Sequence, residues 1–272
     1  MDKSSLKISI ITVCFNASNT IEETIISVVK QTYKNIEYII IDGGSTDGTV
    51  DLIKKYSDTV TYWISEPDNG IYDAMNKGID LATGDYLNFM NAGDTFFEDK
   101  AIEKVVPLFC NYDIISGIAA TSLRNKLQFK FWKPIKKNYK FKDICSGGLV
   151  NHQATFIKRE LLNKKYSLDY GIIADEIFFL NHVVFSDKIY KPVNIIISKY
   201  DVSGISSCKQ SGLEIKHQRE KFFRSKLPAC ILRDYRTSTI SKIKKRIHHE
   251  LFFFRKYYNK LLINHPNMLL GE

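Results

Sequence analysis

Apolar positions in the amino-terminal third of the chain switch between two periods, and the switches predict an order of elements. Residues 7–16, KISIITVCFN, form a β-branched run closed by a polar residue and read as a buried strand ending near Cys14. Behind it Ile21, Ile25, Val28 and Val29 recur at helical spacing, with Asn19 or Thr20 as cap and Glu22 and Glu23 in the first turn, where the dipole favours anions. A second strand, Ile36 to Ile41, delivers Asp42 to its carboxyl tip. Gly43 and Gly44 then allow a tight turn, and Asp47 or Thr49 can start a helix over Val50 to Tyr56. A third strand, Val60 to Ser65, ends in the turn EPDNG, and Ile71 to Leu81 is helical by composition despite Gly78. Tyr86 to Met90 is a fourth short apolar run, followed by the turn Asn91-Ala92-Gly93-Asp94. Strand alternating with helix is the signature of an α/β fold built on a parallel sheet.

A parallel sheet would put four polar tips, Asn16, Asp42, Asp68 and Asp94, on one edge. Ligands of open α/β sheets collect outside that edge, in the arrangement a nucleotide site needs. Asp94 beside Gly93 can hold a hard divalent cation against a phosphate, although the same four residues also make an ordinary surface turn.

Composition narrows the class. With 272 residues, 44% of them hydrophobic and 12% aromatic, the chain can bury a substantial core and is not a disordered polymer. Cys14, Cys110, Cys145, Cys208 and Cys230 are odd in number and lack a C-x-x-C pair, which points to a reducing compartment and away from disulfides or zinc. Ile8 to Phe15 has strand character rather than that of a secretory signal, and no window carries the roughly 18 uninterrupted apolar residues of a membrane span. A cytoplasmic location is expected.

Charge then divides the chain. Lys216 to Lys260 carries 14 Lys and Arg against 3 Asp and Glu, a net +11, which leaves the other 227 residues at −2 of the overall +9. Ile247, Leu251, Phe254, Tyr258 and Leu262 recur at helical spacing among lysines and arginines. Such a tail can attach peripherally to the anionic inner face of a plasma membrane, or it can pack on the body of the protein. The stretch 127–142, LQFKFWKPIKKNYKFK, interleaves aromatics with lysines and reads as a two-sided β-ribbon, with Trp132 available as a sugar platform.

Four strings in order, SIITVCFN, IDGGSTDGT, EPDNGIYDAMNKGI and ATGDYLNFMNAGD, closely resemble the amino-terminal half of family 2 glycosyltransferases, inverting enzymes of the GT-A fold. Shorter matches follow at NHQATFIKRE, ADEIFFL and KYDVSGISS. The resemblance implies a GT-A catalytic domain over residues 1–208, with a nucleotide-binding half to about residue 100, an acceptor half over 101–208, and a basic helical extension over 209–272. It places Thr12, Phe15 and Asn16 along the base and ribose, and Asp42 as acceptor of a hydrogen bond from uracil or ribose. Asp68 and Asn76 join them in the nucleotide site. Asn91, where the family commonly has an acid, falls with His152 and Gln153 near donor sugar and diphosphate. Asp94 becomes the carboxylate ligand of Mn2+ or Mg2+.

The resemblance puts a proton-accepting base at Asp175, with Glu176 as second choice. Neighbours on a helix point about 100° apart, so only one can face the sugar. One base is enough, because a metal-bound diphosphate leaves without protonation. The implied partners are a nucleotide-sugar donor, UDP-linked, and a glycan or lipid-linked glycan acceptor, as in bacterial surface polysaccharide synthesis. A nucleotidyltransferase would need a glycine-rich basic loop near the first strand, and a dehydrogenase would need G-x-G-x-x-G after a strand; neither is present. A non-enzymatic binder of anionic polymer or nucleic acid would use the tail and leave the strand-tip carboxylates dispensable.

Overall fold

The computed structural model describes residues 6–122, 129–136, 150–186, 188–201 and 211–226. The parallel half of its sheet comes from β1 (Ile8–Cys14), β2 (Ile36–Asp42), β3 (Tyr62–Ser65) and β4 (Tyr86–Phe89). Register runs straight across it, pairing Cys14 with Asp42 and Asp42 with Ser65. The strand–helix alternation predicts this, with α1 (Ile21–Val29), α2 (Thr49–Lys55) and α3 (Ile71–Leu81) as the crossovers.

Beyond β4 the sheet becomes mixed. β5 (Thr95–Phe96), β6 (Ile114–Ser122), β7 (Phe129–Trp132), β8 (Thr155–Lys158) and β9 (Tyr190–Lys199) complete the order β3-β2-β1-β4-β8-β6-β9-β5, with β7 paired to β6. β8 runs antiparallel to β4, so the turn that precedes it lies at the carboxyl edge of the parallel strands. That reversal brings His152 and Gln153 to the tip of β4, beside Asn91 and Asp94.

Side chains alternate across β1: Ile11 and Val13 enter one core, Ile8, Ile10 and Cys14 the other. The first core is closed by α3, by α5 (Ala174–Phe179) and by α6 (Ser211–Lys226), the second by α1, α2 and α4 (Ala101–Val105). Gly78 is what lets α3 lie so close, because a Cβ there would stand 2.5 Å from Ile11 Cγ2. Helix α6 falls within the stretch assigned by sequence to the extension, yet it buries Phe222 and Phe223 in the first core. The periodic positions Ile247 to Leu262 of the basic tail, and residues 137–142 of the aromatic–lysine stretch, lie outside the described residues. Among the described residues, no helix is long and apolar enough to cross a membrane.

Candidate active site

Two groups of side chains meet at the carboxyl edge of the parallel strands. At the tips of β1, β2 and β3, Asp42 is fully buried and organises the loop after β2. Its Oδ2 accepts from the backbone N–H groups of Gly44 (3.1 Å) and Ser45 (2.9 Å) and from Ser65 Oγ (2.6 Å), while Oδ1 accepts from Ser45 Oγ and, at 3.4 Å, from Cys14 Sγ. Burial pushes this carboxyl up, but those donors outweigh it and hold it below the ordinary range. Asn16, with φ 48, ties the loop from the other side: its Oδ1 accepts from the Thr46 N–H at 3.0 Å. Phe15 stands out at 64% exposed, next to a floor without side chain, since a Cβ on Gly43 would meet Asp68 Oδ2 at 2.5 Å and Phe15 Cδ2 at 3.4 Å. An open aromatic face, a bare backbone and an acceptor thus converge.

Two residues that the resemblance assigns to the nucleotide face elsewhere. Thr12 is fully buried, donating from Oγ1 to the Met90 carbonyl at 2.7 Å and lying 3.0 Å from the Tyr38 hydroxyl. Asn76 clasps the backbone of Tyr166, donating to its carbonyl and accepting from its N–H, both at 2.9 Å. Their side chains hold strands and helices together.

The second group links Asn91, Asp94, His152, Gln153 and Asp175. Asp175 Oδ2 lies 2.9 Å from His152 Nδ1. A carboxylate only accepts, so the proton sits on Nδ1, and in the neutral ring Nε2 accepts from Asn91 Nδ2 at 3.0 Å. Asp175 Oδ1 accepts from the Tyr72 hydroxyl at 2.7 Å and from the Glu176 N–H at 2.8 Å. Tyr72 carries no sequence signal for this role, because its partner is 103 residues away. Burial raises the Asp175 carboxyl, yet His152, Tyr72 and the Glu176 N–H together bring it below the usual value. The same pairing acts on His152, whose ring burial would discharge but Asp175 and Asp94 hold up.

Asp94 is 4% exposed; its Oδ1 accepts from the Asp201 N–H and its Oδ2 from Gln153 Nε2, both at 2.9 Å. Burial, with the Asp201 carboxylate adding to it, outweighs these donors and pushes Asp94 up to about 6. Asn91 Oδ1, from the same turn, is buried without a partner among the described residues. Among the described residues no three His, Cys, Asp or Glu cluster as a closed metal site. The donor set still suits a hard cation completed by phosphate oxygens, which would relieve both the raised acid and the orphaned amide oxygen.

Comparison with known proteins fits this geometry. The family model described as glycosyl transferase family 2 matches residues 9–165. An uncharacterized glycosyltransferase of Mycobacterium tuberculosis is 31% identical over 207 residues, 75% of this chain and 78% of its own. Among solved structures, S. aureus TarS 1-349 in complex with UDP-GlcNAc superposes with a TM-score of 0.64 at 13% identity, covering 89% of this chain and 76% of that one. A mannosyltransferase from Pyrobaculum calidifontis in complex with GDP-Man and Mn2+ gives 0.61 at 15%, over 98% and 76%. With a family match over more than half its length on a GT-A sheet, this chain belongs to glycosyl transferase family 2 and is a glycosyltransferase.

Proposed function

We propose that the protein transfers a sugar, with inversion, from a UDP-linked donor to a hydroxyl of a glycan or lipid-linked glycan, with Asp175 as the base. The observation that carries this reading is the state of Asp175. Among the described residues its Oδ1 receives two donors, whereas Oδ2 receives His152 alone, which leaves one lone-pair direction on Oδ2 for an incoming group. The side chain is 23% exposed, enough for an incoming hydroxyl to reach it. As the new glycosidic bond forms on the face opposite the diphosphate, that hydroxyl becomes acidic and its proton passes to Oδ2. Glu176 is committed to Arg219, which supports Asp175 over its neighbour.

Phe15, the Gly43 backbone and Asp68 fit the base and ribose, with Asp42 and Asn16 shaping their loop. Asn91, His152 and Gln153 fall to the donor sugar and diphosphate. Asp94 would hold Mn2+ or Mg2+, whose contribution is to neutralise charge on the departing diphosphate. Exposed Phe131 and Trp132 on β7 offer an acceptor sugar an aromatic surface. UDP is favoured by the UDP-GlcNAc complex of TarS, and a metal by the Mn2+ complex of the mannosyltransferase.

Calorimetric titration with UDP, with and without Mn2+, tests the donor half. Metal-dependent binding that Asp94→Ala removes is expected; loss of transfer but retention of UDP binding in Asp175→Asn tests the base. Absence of binding to UDP, GDP and dTDP alike would overturn the proposal.

A further inference from the structure

Glu176 follows the proposed base directly, and Arg219 grips its carboxylate at two points. Nε donates to Oε1 and Nη2 to Oε2, each at 2.6 Å. Both side chains are largely withdrawn from water, Arg219 at 17% exposure and Glu176 at 11%. A planar two-point pair fixes orientation as well as distance. Burial of such a pair adds little net stability compared with apolar packing, so its distinctive contribution is geometric.

That geometry matters because α5 starts close after Gly171, where the backbone leaves helical values at φ 48, ψ −129. The N–H groups of a helix's first turn have no acceptor inside the helix and must find one elsewhere. The Glu176 N–H in that turn donates to Asp175 Oδ1, and whatever fixes Glu176 therefore fixes a donor to the base. Helix α6 is a firm support for Arg219: Phe222 and Phe223 are each 1% exposed, and the Phe222 ring packs edge-on against Tyr170 and Phe185 at 5.8 Å.

We propose that Arg219 is a positioning residue for sugar transfer, clamping Glu176 so that Asp175 presents the open side of Oδ2 to the acceptor. This rests on Asp175 being the base. It makes α6, which lies beyond the residues 9–165 matched by the family model, a working part of the catalytic machinery.

The test needs no known substrate in its first arm. In full-length protein labelled with 15N-histidine, the His152 Nδ1–H resonance, assigned by its loss in His152→Gln, reports the bond to Asp175. Arg219→Ala should shift or broaden it, Arg219→Lys should do so less, and Arg224→Ala, which removes an exposed pair with Glu220, should leave it in place. The second arm follows UDP release from UDP-GlcNAc. Arg219→Ala should lower kcat about 10- to 100-fold with the donor KM within about twofold, the scale expected for a misplaced catalytic group. In an Asp175→Asn background the same substitution should cost nothing further. Should Arg219→Ala fail to fold, Arg219→Lys and Glu176→Gln carry both arms. An unchanged resonance in a folded clamp variant overturns the proposal, as does an equal cost with and without Asp175. If Asp175→Asn itself leaves kcat intact, the reading of the base has failed, whatever the resonance does.

Discussion

Glu37 and Asp94 are both almost completely buried, at 5% and 4% exposure, and they sit at opposite edges of the sheet. At the amino edge Glu37 accepts from Lys7 Nζ (2.7 Å), Ser9 Oγ (2.5 Å), the Thr83 N–H (2.7 Å) and Thr83 Oγ1 (2.6 Å). Burial pushes it up, but this shell, with a cation in it, wins and brings it down to about 2. Asp94 receives two neutral N–H donors and a second carboxylate, Asp201, and rises to about 6. A buried acid supplied with its counter-charge by the fold serves the fold. One left short of counter-charge suits a ligand that brings it, the role proposed above for Asp94.

The largest expected effect separates the two directly. Asp94→Asn should weaken Mn2+-dependent UDP binding at least 100-fold, read by calorimetry, without lowering the melting temperature of chelator-treated protein; a lower melting temperature would make Asp94 a structural acid and break the contrast. Glu37→Ala should do the reverse, costing roughly 3 kcal/mol in urea unfolding while UDP affinity stays put, because it leaves buried donors unpaired. The two acids should also give opposite pH slopes. Glu37 titrates lower in the folded chain than in the unfolded one, so its stabilisation is present above about pH 4.5 and lost as pH falls towards 2, roughly 3 kcal/mol that Glu37→Gln removes. Asp94 titrates higher when folded, so metal-free protein should lose stability as pH rises from about 4 to 6, a loss absent from Asp94→Asn. The smallest effect belongs to Tyr72→Phe. Removing one donor from Asp175 should move the acid limb of the kcat profile to higher pH and cost about 1 kcal/mol of stability.

What could be read from sequence was what depends on local period. The strands β1, β2 and β4 and the helices α1 and α3 lie within a residue or two of where their apolar spacing puts them. Of Asp47 and Thr49 it is Thr49 that opens α2, behind Gly48 at φ 96, while Asp47 Oδ1 accepts the Thr49 N–H at 3.1 Å. Of the candidate site, Asn91, Asp94, His152, Gln153 and Asp175, which the motifs name, lie in hydrogen-bond contact with one another. For Thr12 and Asn76 a motif gives position along a strand or helix and not the direction of the side chain, and both turn into the body. The contacts of Tyr72, Arg219 and Asp201 are not legible in the sequence for a different reason. Each owes its role to a partner 43 to 107 residues away, and no window of sequence contains both ends of such a contact.

The Asn76 clasp on Tyr166 has a further meaning. Held by its backbone, the Tyr166 ring packs against Tyr72 at 5.4 Å, Phe89 at 5.5 Å and Phe178 at 5.3 Å. One ring thereby touches α3, β4 and α5, the three elements around Asp175. Water would have to reorganise around a carboxylate each time it took a proton, whereas dipoles locked by such a ring are already aligned. The entropy of arranging them is lost once, when the chain folds, and not again at every turnover.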